Sequence, residues 1–371
     1  GIPAEAPWYT STCMDSRNVC VRPRHYRKVG ISRYDDSPSS TIWSLLKFIP
    51  HSGQGASNAY KRAVEKGWPY RMDELLRRRA TPSKAVLVTA FNFGFREYMA
   101  NFVCNLAKLS IGHYVMAALD SQAYEWGVVR GLPVFFFPTR HRLVAAMTYG
   151  TDEYKQVVKM KSVIVTKILE HGYSVFFVDP DVVLFRDPLA NLKASPNVMY
   201  IQSDKRWRQG GQQPYGTVDN SSLTTNINSG YYFVPSSPVA IAALKHIVRH
   251  AANSTGSEQP SFHMVLCGGD FSQWPTQAVG LGWGYDKCLY MDPRHGNLTV
   301  QIIHPMKAAV GGTYIGGGKD TLWDFRYVNL EPPFAEMEAL HNNYVRGLDK
   351  KMRRQMDAGL WFAKKDDACR F

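Results

Sequence analysis

The sequence has no stretch of eighteen apolar residues, so it predicts no helix that could span a bilayer. Its first residues, beginning Gly1-Ile2-Pro3, also lack the pattern of a signal peptide. Basic residues form no block longer than Arg77-Arg78-Arg79, so nucleic acid is not a favoured partner. We therefore expect any membrane attachment to come from an anchor outside these residues.

Acidic residues are the scarcer charge, with 31 Asp and Glu against 44 Lys and Arg among 371 residues. The resulting net charge of +13 favours anionic partners, such as nucleotide-sugars, acidic polysaccharides or a membrane surface. A hydrophobic content of 45% is typical of a globular protein. The length suits one large α/β domain or two ordinary domains.

Cysteine is scarce too, with six residues and no pair at the C-x₂-C spacing of a zinc site. Cys13 and Cys20 could close one short loop, and Cys267 with Cys288 another. Cys104 lies on the apolar face of a predicted helix, so we expect it to be a buried thiol. The even count fits an oxidising lumen. So do three N-glycosylation sequons, which begin at Asn220, Asn253 and Asn297.

Strands and helices are predicted to alternate from residue 83 to residue 371, after an irregular extension over residues 1–82. This alternation indicates an α/β fold with a mostly parallel central sheet flanked by helices. Ligands of such sheets bind beyond the carboxyl ends of the strands. We expect the extension, a stem, to pack on this α/β domain.

The most informative stretch is residues 175–188, where two apolar runs flank Asp179 and Asp181. Two carboxylates this close repel each other unless a cation lies between them. Oxygen ligands suit Mg²⁺ or Mn²⁺, and Mg²⁺ usually also binds substrate phosphates. The pair therefore predicts a metal–diphosphate site. The alternative is that both residues only cap a turn around Pro180.

Several further motifs follow in a fixed order over roughly residues 84–361. They are Val-Leu-Val-Thr-Ala in the first strand, Leu119-Asp120, Lys161 ahead of Glu170-His-Gly-Tyr, Asp179-Pro-Asp-Val-Val, Asp187-Pro188, Asn228-Ser-Gly-Tyr-Tyr-Phe, and His341-Asn-Asn-Tyr-Val-Arg-Gly followed by Lys350. Together they resemble glycosyltransferase family 77, within the nucleotide-diphospho-sugar transferases. The resemblance implies a GT-A (Rossmann-like) fold, a UDP-sugar donor, Mn²⁺ or Mg²⁺, and retention of the anomeric configuration.

The resemblance also implies roles for individual residues. The metal ligands are Asp179, Asp181 and His341, with His304 as a competing ligand. The donor-binding residues are Thr89, Ala90, Asn92, Asp120, Lys161, Asp179, Ser229, Gly230, Gly347 and Lys350. The catalytic candidates are Gln273, Asp270 and Asn228. Where the family often has Asp-Gln, this chain has Ser272-Gln273, which leaves the role of the carboxylate open. Turn or cap chemistry would explain several of these residues equally well.

We therefore expect a retaining, metal-dependent glycosyltransferase that moves arabinose, xylose or galactose to a glycoprotein or polysaccharide acceptor of the cell wall. The Golgi or ER lumen is the expected location, with the chain as the luminal part of a type II membrane protein. One alternative is a non-catalytic carbohydrate-binding protein that retains the fold. Another is a glycosidase that uses two carboxylates.

Overall fold

A computed structural model of the chain describes twelve stretches of the sequence. They are residues 13–14, 20–21, 26–28, 48–50, 71–137, 150–207, 214–215, 223–268, 279–282, 286–305, 307–311 and 336–371. These residues belong to two compact units. The first contains Gly1–Arg78, Ala90–Arg96 and Val115–Ala146, and the second contains Arg79–Thr89, Glu97–Tyr114 and Met147–Phe371. The expected extension over residues 1–82 stays a prediction.

The regular elements are numbered in chain order. The strands are β1 (Cys13–Met14), β2 (Cys20–Val21), β3 (Tyr26–Lys28), β4 (Phe48–Pro50), β5 (Ala85–Phe91), β6 (Tyr114–Ala118), β7 (Val134–Phe136), β8 (Ser174–Val178), β9 (Val182–Leu184), β10 (Val198–Ser203), β11 (Arg206–Trp207), β12 (Pro214–Tyr215), β13 (Ile227–Val234), β14 (Val279–Gly282), β15 (Lys287–Asp292), β16 (Gly296–Ile303), β17 (Ala308–Ala309) and β18 (Ala339–His341). The α-helices are α1 (Met72–Arg79), α2 (Arg96–Lys108), α3 (Ser121–Val129), α4 (Asp152–Glu170), α5 (Pro238–Asn253), α6 (Gln259–Leu266) and α7 (Leu348–Asp357).

The first unit contains a parallel pair of strands, β6 and β7, with Met116 opposite Val134. The Leu119 N–H donates to the Phe91 carbonyl, so the last residues of β5 pair with the end of β6. Helix α3 then begins after Asp120, whose carboxylate accepts a hydrogen bond from the Ala123 N–H. An aspartate in this position satisfies a backbone donor that the first turn of a helix leaves unpaired. The antiparallel pairs β1–β2 and β3–β4 belong to the same unit.

The sheet of the second unit has the strand order β14-β15-β16-β10-β13-β8-β5. Strand β13 is antiparallel to β10 and β8, and β15 is antiparallel to β14 and β16, whereas the pairs β16–β10 and β8–β5 are parallel. Only β13 and β15 therefore oppose the common direction. Helix α4 packs on β8, and α5 packs on β15 and β16. The prediction of a mostly parallel central sheet flanked by helices is confirmed.

A smaller sheet in the second unit is formed by β17, β18 and β9. Strand β18 is antiparallel to β9, with Leu340 opposite Val183 and His341 opposite Val182. Val183, Leu340 and Ala309 are almost completely buried in a shared hydrophobic cluster. Because β9 follows the Asp179-Pro180-Asp181 turn, this small sheet fixes the end of the chain segment that carries the aspartate pair.

The cysteines correct one prediction and bear out another. Cys267 and Cys288 form a disulfide, as their spacing allowed. Cys104 is buried but is not a free thiol, because it forms a disulfide with Cys369, 265 residues along the chain. The apolar helical face correctly indicated burial, but it contained no information about a partner at the other end of the sequence. The side chains of Cys13 and Cys20 lie outside the described residues.

Two sequon asparagines, Asn253 and Asn297, are exposed, and Asn220 lies outside the described residues. Over the parts of the chain that the structure describes, none of the helices is both long and apolar enough to cross a membrane.

One histidine of the second unit is buried and forms a hydrogen bond with a tyrosine. His246 of α5 is 6% exposed, and its Nδ1 shares a hydrogen bond with the Tyr290 hydroxyl of β15. Burial, together with repulsion from Arg249, lowers the pKa of His246 from 6.5 to about 4, although Asp292 opposes the shift. The folded protein therefore holds this ring neutral.

We expect acid to destabilise the folded protein between pH 6.5 and about 4. As the pH falls through this window, the unfolded chain protonates His246 before the folded protein does, so the free energy of unfolding decreases. One pKa unit corresponds to about 1.4 kcal/mol, so this residue should account for a loss of roughly 3 kcal/mol. Thermal unfolding measured at several pH values should show a smaller loss for His246→Asn. His171→Asn, at an exposed position, is the control; equal acid sensitivity of His246→Asn and the wild type would refute the assignment.

Candidate functional site

The candidate site lies at the carboxyl end of β8, where Asp179 and Asp181 follow the strand directly. The Asp179 N–H donates to the Gly230 carbonyl at 2.8 Å, and the Val182 N–H donates to the Asp179 carbonyl at 3.0 Å. The two aspartates thus flank a hydrogen-bonded turn around Pro180, as the simpler interpretation of the motif predicted. They do more than shape this turn, because both side chains point into the same small volume.

His341, at the end of β18, completes the group. Its Nε2 lies 3.3 Å from Asp181 Oδ1 and 3.9 Å from Asp179 Oδ2. One ligand atom from each of the three residues lies within 4.8 Å of the other two. Asp181 and His341 are each 5% exposed, so solvent screens charge poorly at this position. Two carboxylate oxygens and an imidazole nitrogen are a suitable donor set for a divalent cation.

The structure thus brings together all three residues that the sequence predicts as metal ligands. In the described part of the chain, no second group of three such side chains occurs, and His304 does not belong to this one. The convergence depends on the small sheet, because the pairing of β18 with β9 places His341 opposite Val182, one residue after Asp181.

Gly230 of β13 provides the space in which these side chains meet. A Cβ atom at this position would lie less than 3.0 Å from His341 Cε1 and from Asp179 Oδ2. The Gly230 N–H is fixed as well, because it donates to Asn228 Oδ1 at 2.7 Å. Glycine is therefore needed at this position, because a side chain would collide with His341 and Asp179.

Two lysines neutralise the carboxylates. Lys161 Nζ of α4 lies 3.0 Å and 3.1 Å from the two oxygens of Asp179. Lys351 Nζ of α7 donates to Asp181 Oδ2. Burial would raise the pKa of Asp181, but attraction by Lys351 holds it well below its ordinary value. Burial would likewise lower the pKa of Lys161, but Asp179 and Glu258 raise it above its ordinary value. Asp181 and Lys161 are therefore ionised near neutral pH.

Glu258 is a buried carboxyl group beside this ion-pair cluster. It lies at the N-terminal end of α6 and is 0% exposed. One carboxyl oxygen accepts from the Ser162 hydroxyl; the other lies 3.7 Å from Lys161 Nζ and 3.5 Å from Ser229 Oγ. Burial raises the pKa of Glu258 to about 7, although Lys161 and Ser162 oppose the shift. No local motif marks this residue, so sequence reasoning missed it.

Asp204 connects the amide side chains around the site. Its Oδ1 accepts from Asn228 Nδ2 at 2.7 Å and from Asn343 Nδ2 at 2.8 Å, and its Oδ2 accepts from Gln259 Nε2 at 3.0 Å. Asn228, predicted as catalytic, is 3% exposed and has both ends of its amide engaged, one by Asp204 and the other by the Gly230 N–H. Its immediate role in this structure is to position β13, and its catalytic role stays a prediction.

The nucleotide-binding candidates fall in both units. Thr89 belongs to the second unit, where its hydroxyl is buried without a hydrogen-bond partner. Ala90, Asn92 and Asp120 belong to the first unit. There the Asp120 carboxylate accepts from the N–H groups of Phe93 and Ala123, each at 2.8 Å. Helix capping, the alternative considered for Asp120, is therefore observed.

The remaining donor-binding and catalytic candidates lie at α7 or outside the described residues. Gly347 precedes α7 with a φ of 93°, a left-handed conformation that favours glycine. Lys350 is exposed on α7, whereas its neighbour Lys351, which the motif did not single out, contacts Asp181. Gln273 and Asp270 lie outside the described residues.

Comparison with known proteins connects this geometry to a family. The family described as nucleotide-diphospho-sugar transferase matches residues 109–355. The β-arabinofuranosyltransferase RAY1 of Arabidopsis thaliana is 32% identical over 297 residues, which cover 79% of this chain and 50% of RAY1. A UDP-D-xylose:L-fucose α-1,3-D-xylosyltransferase of the same plant is 20% identical, over 74% of this chain and 69% of that protein. The chain spans half the length or less of the first curated relatives that it matches.

Among solved structures, the bifunctional glycosyltransferase WbbM is similar over 76% of this chain and 51% of its own, with 10% identity and a TM-score of 0.40. The family match and the strand order of the chain both agree with the predicted GT-A fold.

We expect Gly230→Ala to disrupt the site. The added methyl group would collide with His341 and Asp179, and overpacking of this kind typically costs about 1–3 kcal/mol. Calorimetric melting should show the lost stability, and electron paramagnetic resonance of free Mn²⁺ should show binding weakened by about tenfold or more, as expected for displaced metal-site residues. Gly112→Ala is the matched control, because a Cβ there meets nothing within 4 Å. Unchanged Mn²⁺ binding by Gly230→Ala would contradict the proposed packing.

Proposed function

Because the chain belongs to the nucleotide-diphospho-sugar transferase family, we propose that it is a metal-dependent glycosyltransferase with a UDP-sugar donor. The observation that carries the proposal is the convergence of Asp179, Asp181 and His341 beyond the end of a central strand. In α/β sheets this is where ligands bind. We propose a glycoprotein or polysaccharide as the acceptor.

Asp179, Asp181 and His341 would hold the cation, which we propose to be Mn²⁺ or Mg²⁺. When bound, such an ion supplies positive charge that stabilises the departing diphosphate. The ammonium groups of Lys161 and Lys351 already lie at the same carboxylates, so they can also donate hydrogen bonds to phosphate oxygens. Their burial strengthens these interactions because little water competes.

The proposal extends to the donor sugar and to the stereochemistry of transfer. The names of the two plant relatives specify arabinofuranose and xylose, so we propose a pentose donor first and galactose as the remaining candidate. We propose retention of the anomeric configuration. Glu258 is too buried to reach a sugar directly, and this favours a front-side displacement over a two-step route that uses this carboxylate as a nucleophile. Gln273 and Asp270 stay the candidates beside the anomeric carbon, and Ser229 and Gly230 stay the candidates for sugar contacts.

Thr89, Ala90, Asn92 and Asp120 remain our proposed contacts to uridine, with Gly347 and Lys350 as proposed contacts to the diphosphate. For the location we propose the lumen of the Golgi or ER. Two disulfides and the exposed sequon residues Asn253 and Asn297 support an oxidising secretory compartment.

The proposal predicts Mn²⁺-dependent release of UDP from a UDP-sugar. The test incubates the protein with Mn²⁺ and individual UDP-sugars, follows UDP, and determines the anomer of the product by NMR. Asp181→Asn should reduce the rate about 100-fold or more, because it removes a charge that holds the cation. Stabilisation by UDP-sugars without turnover would indicate a binding protein, and cation-independent hydrolysis of glycosides would indicate a glycosidase. Full activity of Asp181→Asn would refute the assigned metal site.

Adjacent lysines on α7 allow a matched test of diphosphate binding. We expect Lys351→Met to weaken UDP binding by about tenfold or more, because a charged hydrogen bond contributes roughly 1.5–3 kcal/mol. Lys350→Met removes the same charge from the exposed neighbouring residue that the motif indicates, and it should weaken UDP binding less if Lys351 is the main contact to the diphosphate. Calorimetric titration of each folded variant with UDP and Mn²⁺ measures the difference. A loss confined to Lys350→Met would instead support the residue that the sequence motif indicates.

A further inference from the structure

Gln202 is a fully buried polar side chain at the carboxyl end of β10, with 0% exposure. Its amide nitrogen donates to the carbonyl of Ala308 at 2.9 Å and to the carbonyl of Ala309 at 3.1 Å. Its amide oxygen lies 3.0 Å from His341 Nδ1. The pairing of β10 with β13 is irregular between Ile201 and Gln202, and such irregularities re-aim side chains.

The surroundings allow only one orientation of the Gln202 amide. Backbone carbonyls accept hydrogen bonds and cannot donate them, so the end of Gln202 that faces Ala308 and Ala309 must be the NH₂ group. The end that faces His341 must then be the carbonyl oxygen, which can only accept. His341 Nδ1 must therefore carry a hydrogen atom.

The consequence for His341 concerns its other nitrogen. With Nδ1 protonated, a neutral ring has its lone pair on Nε2, and Nε2 faces Asp181 Oδ1 at 3.3 Å and Asp179 Oδ2 at 3.9 Å. A nitrogen lone pair opposite two carboxylates is unfavourable unless a cation lies among them. In this arrangement Nε2 can bind a cation together with the oxygens of Asp179 and Asp181.

We infer that Gln202 is a positioning residue, which fixes His341 in the Nδ1–H tautomer so that Nε2 binds the divalent cation. The inference deepens the proposed function and rests on it for the cation site. Metal-binding histidines generally donate their second N–H to a carboxylate or carbonyl, and loss of such a partner typically costs about 10–100-fold in metal affinity. Here the partner of His341 is the side-chain amide of Gln202, which is held in place by hydrogen bonds to the two carbonyls of β17.

The experiment measures the affinity of the purified protein for Mn²⁺ alone, by electron paramagnetic resonance. Gln202→Met removes the acceptor at similar size and should weaken binding by about tenfold or more. Gln202→Glu keeps an acceptor for Nδ1–H but loses the NH₂ group that donates to the Ala308 and Ala309 carbonyls, so it should restore only part of the affinity. Gln301→Met, a substitution of a half-buried glutamine on the adjacent strand β16, should leave the affinity unchanged. Unchanged Mn²⁺ affinity of Gln202→Met would overturn the inference.

A double-substitution cycle separates positioning from general packing. In a His341→Ala background, Gln202→Met should have no further effect on Mn²⁺ affinity, because the ring through which Gln202 acts is absent. A second loss of the same size there would show that Gln202 acts through packing and would overturn the inference.

The wild-type protein gives a readout that needs neither metal nor turnover. In metal-free protein labelled with ¹⁵N-histidine, at a pH at which the ring is neutral, the signal lost in His341→Ala should show the proton on Nδ1. A proton on Nε2 would overturn the inference, even if the protein transfers sugar. Conversely, an Nδ1–H ring in a protein that shows no transferase activity would refute the proposed function and leave the positioning role standing.

Discussion

The local structure of the site is constrained by the repulsion between two carboxylates that the chain brings together at low solvent exposure. Asp179 and Asp181 are separated by one residue, and Asp181 is 5% exposed. Such a pair is tolerated only with compensating positive charge or hydrogen-bond donors. The fold meets this requirement with Lys161 from α4 and Lys351 from α7. The turn, the small sheet and the two helices therefore act together to hold the pair.

This charge balance has a consequence for ligand binding. Lys161 and Lys351 offset part of the negative charge of Asp179 and Asp181, so a divalent cation adds positive charge to a poorly solvated region. A diphosphate supplies negative charge that offsets the bound cation, so the donor should bind more tightly to protein that already holds the cation. The net charge of +13 acts in the same direction at longer range, because it attracts an anionic donor.

The sequence predicted the features that depend on a strand and the residues next to it. The aspartate pair follows a buried apolar run, and Asn228 to Gly230 lie in the neighbouring strand. His341 is different, because only the ordered set of motifs connected it with residues 160 positions earlier, and its pairing opposite Val182 explains why it lies there. The alternation of strands and helices likewise predicted the sheet, including its dominant parallel direction.

The features that the sequence did not reveal depend on where separate elements meet. Lys350 and Lys351 are chemically equivalent in sequence, and only the rotation of α7 decides which one contacts Asp181. The disulfide of Cys104 depends on the path of the last residues of the chain. Gln202 lies near the end of a mostly apolar strand, and burial of its amide would be costly without all three hydrogen bonds. An amide whose hydrogen bonds are satisfied only when it orients His341 has a physical reason to be buried there, which a solvent-exposed glutamine would not have.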